Sequence, residues 1–302
     1  MKRAVSISLG SSKRDKKVIV TFKDQPVEIE RIGTDGDVDK YRRLFAELDG
    51  KVDAFGVGGV DLHLYMDDRV YPLHAALKLV EHVRQTPLVD GSGLKHTLER
   101  RVFELAHPAL GEIPHFHRAF VPMSIDRTGM AEAVVAVADE VVFGDLMFGL
   151  GLPIPIRGMK QYRAVLRVML PLVSHFPLSM LFYGSKTMEN EPKYEKYWQQ
   201  ADLIASDFLF MKKHMPLTLN GKVIITNTTT TDNVDMLRGR GVTRIITTTP
   251  RYDGRSFGTN MMEAALTAYA GKGRRLTREE LNILIDELEL GPTVQDLNTT
   301  SS

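Results

Sequence analysis

Three stretches of this sequence concentrate side chains able to hold and convert a small polar molecule. Asp90-Gly91-Ser92-Gly93-Leu94-Lys95-His96 brings an acid, a hydroxyl, an amine and an imidazole into seven residues. Its glycines let backbone N–H groups approach a ligand, and the helix that should follow favours an anion at its start. A plain strand-to-helix turn, capped by Asp90 or Ser92, accounts for the same residues. Thr226-Asn227-Thr228-Thr229-Thr230-Thr231-Asp232 offers hydroxyls, an amide and a carboxylate, groups that hold a phosphate, a sugar or a polyol. Thr231 or Asp232 would also serve as a helix cap, but four successive threonines exceed what a cap needs. Thr247-Thr248-Thr249 opens the third stretch, which runs on to Asn260 and carries Arg251 and Arg255 ahead of a helix. Two guanidinium groups beside a helix start suit a carboxylate or phosphate, whereas either one alone is explained by a surface ion pair.

Other motifs carry structural readings at least as strong. Asp35 and Asp37 could ligate Mg²⁺, yet Asp37 is better placed as a cap for the next helix. Gly56-Val57-Gly58-Gly59 permits close approach of a ligand or of another backbone. His115 and His117 share one side of an extended segment, but no third ligand is adjacent and no metal is expected. Met147, Met159, Met169 and Met180 read as core filling.

The elements that must position these groups follow from periodicity. Residues 4–9, 17–22 and 27–32 alternate as strands with short turns between them, which predicts antiparallel neighbours. A helix over 38–48, a buried strand within 52–60, a helix over 73–83 and a strand at 87–89 follow. A helix over 94–105 then closes a first domain near residue 112. Residues 107–130 read as an aperiodic connection rich in Pro and His, and 146–156 as a covered loop. An amphipathic helix spans 159–173, and 178–183 reads as a strand. Strands at 203–205, 223–225 and 244–246 then alternate with helical segments at 208–214, 233–240 and 259–269, the pattern of parallel βα units. Thr277 and Glu280 form a capping-box pair for a last helix. The expected architecture is two α/β domains. The first, 1–112, has an antiparallel strand meander leading into a mixed sheet. The second, 113–275, has a Rossmann-like parallel sheet, and a C-terminal helix and tail occupy 276–302.

Composition narrows the function classes. The chain has 302 residues, 43% hydrophobic and 25% charged, with a net charge of +1. These values fit a globular protein and give no reason to expect nucleic-acid or membrane-surface binding. Cysteine is absent, which excludes disulfides, thiolate metal sites and a cysteine nucleophile. With neither a signal-peptide pattern nor an apolar run of about 18 residues, a cytoplasmic protein is expected.

Ser8-Leu9-Gly10-Ser11-Ser12, Arg31-Ile32-Gly33-Thr34-Asp35-Gly36-Asp37, Val89-Asp90-Gly91-Ser92-Gly93-Leu94-Lys95 and Arg255-Ser256-Phe257-Gly258-Thr259-Asn260 together resemble a group of bacterial proteins labelled quinate 5-dehydrogenase. The likeness covers most of the chain. It implies a two-domain α/β oxidoreductase that uses NAD or NADP on a small hydroxylated carboxylic acid, with its site in the cleft between the domains. The sequence departs from shikimate-type dehydrogenases in lacking a Gly-x-Gly-x-x-Gly after a strand of the second domain: Gly144, Gly149 and Gly151 are wrongly spaced. No catalytic residue therefore transfers by motif. Under the dehydrogenase reading, Lys95, with His96 and Asp90 beside it, handles the alcohol proton. Gly91, Ser92, Gly93, Asn227, Thr228, Thr229, Thr230, Thr248 and Thr249 contact the cofactor. Arg251, Arg255, Ser256, Thr259 and Asn260 hold the anionic substrate. A competing reading is an ATP-dependent kinase of the acetate- or sugar-kinase type, suggested by the opening hairpin and by Leu9-Gly10-Ser11-Ser12 with Asp15. A third is a non-catalytic sensor of a small metabolite. All three leave a homo-oligomer open.

Overall fold

The structure is a computed structural model that describes residues 1–181, 189–252 and 255–297, with Tyr252 and Arg255 described by their backbone alone. The chain is α/β and folds as two units. Unit 1 is Met1–Leu94, Arg167–Thr187 and Gly258–Glu289, and unit 2 is Lys95–Leu166, Met188–Phe257 and Leu290–Ser302. This division differs from the contiguous boundaries expected at 112 and 275. The helix Thr259–Ala270, expected to continue the βα pattern of the second domain, is built into the sheet of the first.

In unit 1, strands β1 (Lys2–Ser8), β2 (Lys16–Phe22), β3 (Gln25–Gly33) and β4 (Ala54–Gly58) join one sheet. A separate hairpin, β5 (His63–Met66) and β6 (Arg69–Pro72), precedes β7 (Leu88–Val89), and the main sheet runs β2-β3-β1-β4-β7. Only β2 and β3 form the antiparallel hairpin; β1 pairs β3 and β4, both in parallel. Burial explains the difference from the expected meander. Ala4, Val5 and Ile7 are buried at successive and alternating positions, so both faces of β1 are covered and it belongs mid-sheet. Strand β2 alternates exposed and buried residues and takes the edge. The expected antiparallel pairing of β1 with β2, part of what the kinase reading leaned on, is not formed; the hairpin is β2 with β3. Helix Val38–Leu48 is capped by Asp37, which accepts the Lys40 amide, and its Phe45 packs edge-to-face on both Tyr41 of the same helix and Phe55 on β4. The helix Thr259–Ala270 lies so close to β4 that a Cβ on Gly56 would fall 2.8 Å from the Asn260 carbonyl oxygen. The glycines of β4 thus serve packing.

In unit 2, β8 (Phe116–Val121), β9 (Ala138–Phe143), β10 (Ile156–Arg157), β11 (Leu203–Ala205), β12 (Val223–Thr226) and β13 (Arg244–Thr247) belong to a single sheet. The short hairpin of β14 (Arg251–Tyr252) and β15 (Arg255–Ser256) comes next, and β16 (Thr293–Asp296) completes the sheet, ordered β10-β9-β8-β11-β12-β13-β16. The five inner strands are parallel and the two edges antiparallel. From β8 the chain goes through helix Thr128–Val135 to β9 on one side, and β11 flanks it on the other. The strand order reverses between β8 and β11, the place where open α/β sheets bind ligands beyond their carboxyl ends.

Strand β8 occupies a stretch read from sequence as an aperiodic connection. Its apolar run, Ala119-Phe120-Val121, is only three residues long, too short to register against the flanking His and Pro. The 146–156 segment is not covered as expected: Leu150, Leu152 and Ile154 are 44%, 43% and 53% exposed. Residues Leu178–Leu181 are helical rather than extended, and the remainder of that expected strand lies outside the described residues, as does the tail from Asn298. Among the described residues no helix is long and apolar enough to cross a membrane.

Candidate functional site at the strand-order switch of unit 2

The loop after β8 and the turns after β11, β12 and β13 build one polar network inside unit 2. Lys95, 4% exposed, donates from Nζ to Asp126 Oδ2 at 3.0 Å. Arg127 Nη1 donates to Glu99, and Nη2 donates to Asp207 Oδ2 at 3.2 Å. Burial opposes the charge of Asp126, but Lys95 and Arg127 together hold its carboxyl below the usual range. Glu99 has no exposed surface, and burial raises its carboxyl against the pull of Arg127 and Lys95. Asp207 caps helix Phe208–His214 with Oδ1, accepting the Leu209 and Phe210 amides, while Oδ2 also accepts Asn227 Nδ2 at 2.8 Å.

Asp145, at the end of β9, fixes the β8 loop. Its carboxylate accepts the Ser124 amide at 2.9 Å, the Ile125 amide at 2.8 Å and the Ser124 hydroxyl at 2.8 Å. Burial pushes its carboxyl up to about 6. Farther along the sheet edge, Thr226 Oγ1 donates to the Ser206 carbonyl and Ser206 Oγ to the Met123 carbonyl, tying the turns after β12, β11 and β8 together.

The expected site residues divide between the two units. Asp90, Gly91, Ser92, Gly93, Thr259 and Asn260 lie in unit 1. Asp90 accepts the Leu62 and His63 amides with Oδ2 and the Ser92 amide and hydroxyl with Oδ1, so its carboxylate organises the turn. Gly91 has a φ of 90°, and a Cβ there would fall 2.6 Å from Thr259 Oγ1. The Gly93 and Leu94 amides point at the Glu263 carboxylate, so the expected anion cradle holds an acid of the chain itself. Asn260 donates to Ser6 Oγ. The helix expected over 94–105 is a single turn, Ser92–Lys95, with a second helix beginning at Val102.

Glu263 yields a pH prediction. It is fully buried, and burial pushes its carboxyl up to about 7 from 4.5, with Arg275 opposing. The folded state therefore binds more protons than the unfolded state between those values, and stability falls as pH rises through them. The contribution is on the order of 3 kcal/mol. Urea denaturation at pH 4.5 and pH 8 should show a smaller loss for Glu263→Gln than for the wild type. Asp145 leaves a residual slope below about 6 in both proteins.

Lys95, His96, Asn227, Thr228, Thr229, Thr230, Thr248, Thr249, Arg251, Arg255 and Ser256 lie in unit 2. The Thr229 amide donates to Ser256 Oγ, and the Thr229 and Thr247 hydroxyls lie 3.1 Å apart. Thr230 caps helix Thr231–Gly239, and Thr228 is half-buried. Thr249 Oγ1 lies within hydrogen-bond reach of the Asn227 and Phe257 carbonyls, and Thr248 is fully buried. The threonine clusters thus knit the turns to one another. Arg251 donates to Gln295 Oε1, and the Arg255 side chain lies outside the described residues. His96 is 5% exposed. Asp126, Arg127, Glu99, Asp145 and Asp207 went unread in the sequence. The one available signal was Ser124-Ile125-Asp126-Arg127-Thr128-Gly129, a polar turn between an apolar run and a helix.

A nicotinamide dinucleotide would set its pyrophosphate on the loop after β8, at the start of the next helix. Here the Ser124 and Ile125 amides are taken by Asp145. A Cβ on Gly129, in the first turn of helix Thr128–Val135, would lie 2.0 Å from the Lys95 carbonyl oxygen, so the chain itself covers that helix start. The β8 loop does not fit a pyrophosphate. The grouping of His115 and His117 on Asp139 is a pair of hydrogen bonds, and no metal-binding cluster occurs among the described residues.

A family model described as domain of unknown function DUF8754 matches residues 93–297, and one described as domain of unknown function DUF8753 matches residues 3–90. No curated protein matches the chain. Among solved structures, the NAD-dependent malic enzyme of Thermotoga maritima is similar at 11% identity, covering 94% of this chain and 75% of that one, with a TM-score of 0.40. A glucose-galactose binding protein from Geobacillus stearothermophilus is similar at 9% identity over 100% and 99% of the two chains, with a TM-score of 0.38.

Proposed function

The chain belongs to the family of the domain of unknown function DUF8754, and we propose that its unit 2 binds a small hydroxylated molecule beyond the carboxyl ends of β8, β11 and β12 and transfers a proton at one of its oxygens through Lys95. The Lys95–Asp126 pair carries this reading. A lysine 4% exposed, with Nζ 3.0 Å from a carboxylate, stands at the strand-order switch. Buried groups coupled to a charge partner at such a place are candidates for proton transfer. The Asp126 and Asp207 side chains keep 27% and 33% of their surface open, enough for hydroxyl donors to reach a carboxylate oxygen. When a carbonyl is reduced to an alcohol, the Lys95 ammonium gives its proton to the oxygen and regains one by way of Asp126. In the reverse direction the amine accepts it.

Oxidation of a hydroxyl on a small carboxylic acid, the chemistry of the quinate 5-dehydrogenase group, is the reaction proposed for this pair. The hydride leaving the alcohol carbon as Lys95 takes the hydroxyl proton would go to the nicotinamide of NAD or NADP, bound elsewhere than on the β8 loop, whose amides Asp145 takes. Thermal-shift and calorimetric titrations with quinate, with a neutral cyclic polyol, and with NAD and NADP separately test the reading. A saturable response to a hydroxylated compound that disappears in Asp126→Asn supports the site. No response to either hydroxylated probe in the wild type would sink it. Binding of a hydroxy acid without turnover in the presence of NAD or NADP would favour the sensor instead.

A further inference from the structure

We propose that unit 1 carries a two-histidine site for a divalent transition-metal ion, formed by His74 and His175. Both residues belong to this unit, His74 as the first residue of helix His74–Val80 and His175 two residues past the end of helix Gly158–Val173. The backbone brings them together, because the His74 amide donates to the Ser174 carbonyl at 3.1 Å. Ser174 is buried, so this junction is closed, whereas both histidines are exposed. Their ring centres lie 4.8 Å apart, with the planes inclined at 46°. Two imidazoles bound to one ion through bonds of about 2.0–2.1 Å, at right to tetrahedral angles, bring their ring centres to about 4.5–5.2 Å. The pair already has the spacing of a chelate.

The hydrogen bonds of His175 set which of its nitrogens can bind. Nδ1 lies 3.0 Å from the Pro171 carbonyl oxygen and 2.9 Å from Ser174 Oγ, and Ser174 Oγ itself donates to the Pro171 carbonyl at 2.8 Å. A carbonyl oxygen only accepts, so Nδ1 carries the proton of the neutral ring and Nε2 keeps the lone pair. Metal-ligating histidines are held in this way, the second ring N–H given to a backbone carbonyl or carboxylate. The Pro171 oxygen can take that bond because it stands in the last turn of its helix, where the His175 amide turns to the Leu172 carbonyl instead. The His74 ring has no hydrogen-bond partner among the described residues, so ligation takes nothing from it. No group of three ligating side chains forms among the described residues, so water completes the shell. Imidazole nitrogen selects ions such as Zn²⁺, Ni²⁺ and Cu²⁺ over Mg²⁺ and Ca²⁺, which take oxygen. An ion held by both rings clips together segments far apart in sequence, the kind of closure that stabilises most. This site does not depend on the reading of unit 2.

Equilibrium dialysis and melting-temperature titrations of the full chain with Ni²⁺, Zn²⁺ and Mg²⁺ test the proposal. The wild type should bind Ni²⁺ and Zn²⁺ saturably, with a rise in melting temperature that Mg²⁺ does not reproduce. His74→Ala and His175→Ala each remove an exposed side chain, so each should keep the metal-free melting temperature. Each should also weaken the tightest Ni²⁺ site by at least about tenfold, the loss that follows even from disturbing a ligand's supporting bond. His115→Ala breaks up the other exposed histidine pair and should leave that site at wild-type affinity. A wild type that binds neither Ni²⁺ nor Zn²⁺, or a His74→Ala protein that keeps the tightest site, overturns the proposal. Loss in His175→Ala alone, or in His115→Ala instead, overturns it equally.

Discussion

Replacing Lys95 by methionine is expected to lower turnover of the unit 2 substrate by about 10²–10⁴-fold, the range supplied by a positioned proton donor or acceptor. Methionine fills much of the same buried volume and removes the exchangeable proton. The decisive companion is Lys95→Arg. It keeps a positive charge within reach of Asp126, so an electrostatic role for Lys95 predicts near-normal activity. A proton-transfer role predicts a loss close to that of Lys95→Met, because a guanidinium does not give up its proton in the working pH range. Rates and KM measured for both variants on the compound identified by titration separate the cases: kcat falls and KM stays within a few-fold. Wild-type turnover by Lys95→Met would remove the residue from the mechanism, and a fully active Lys95→Arg would leave it only a charge.

The second large effect falls on stability. Arg127 is 5% exposed and joins Glu99, which has no exposed surface, to Asp207. Arg127→Met leaves Glu99 buried without its principal counter-charge, and breaking one side of such a pair costs about 3–5 kcal/mol. The double variant Arg127→Met with Glu99→Met should recover most of that loss, since the cost lies in the abandoned carboxylate rather than in a missing attraction. Urea denaturation at pH 7 reads both. A single variant within about 1 kcal/mol of the wild type would mean that water reaches Glu99 and that the network is less closed than its burial implies.

Local signals were enough for much of the frame. Asp37 and the apolar spacing of Tyr41 and Phe45 defined the helix Val38–Leu48, and Thr277 with Glu280 defined the start of Arg278–Glu287, because caps and one-turn contacts are settled within four residues. The short apolar runs before Thr226 and Thr247 located two parallel strands and the hydroxyl-rich turns after them. Local patterning did not place β1 between β3 and β4. Pairing order depends on which strand has both faces covered, and the covering elements include a helix more than 250 residues away in sequence.

The chemistry of unit 2 was legible only in part. Lys95 stood out by its type and neighbours. Its partner Asp126 is 31 residues along the chain, and Arg127 reaches Glu99 over 28 residues and Asp207 over 80. An acid capping a helix and an acid holding a buried arginine look alike in sequence; long-range packing alone sets charge against charge. The sequence by itself determined a two-unit α/β protein with polar turns at the ends of parallel strands. Tertiary structure decided which of those turns knit the fold together and which lysine met a carboxylate at the strand-order switch. It did so because burial, which makes an ion pair strong or costly, is a property of the packed chain.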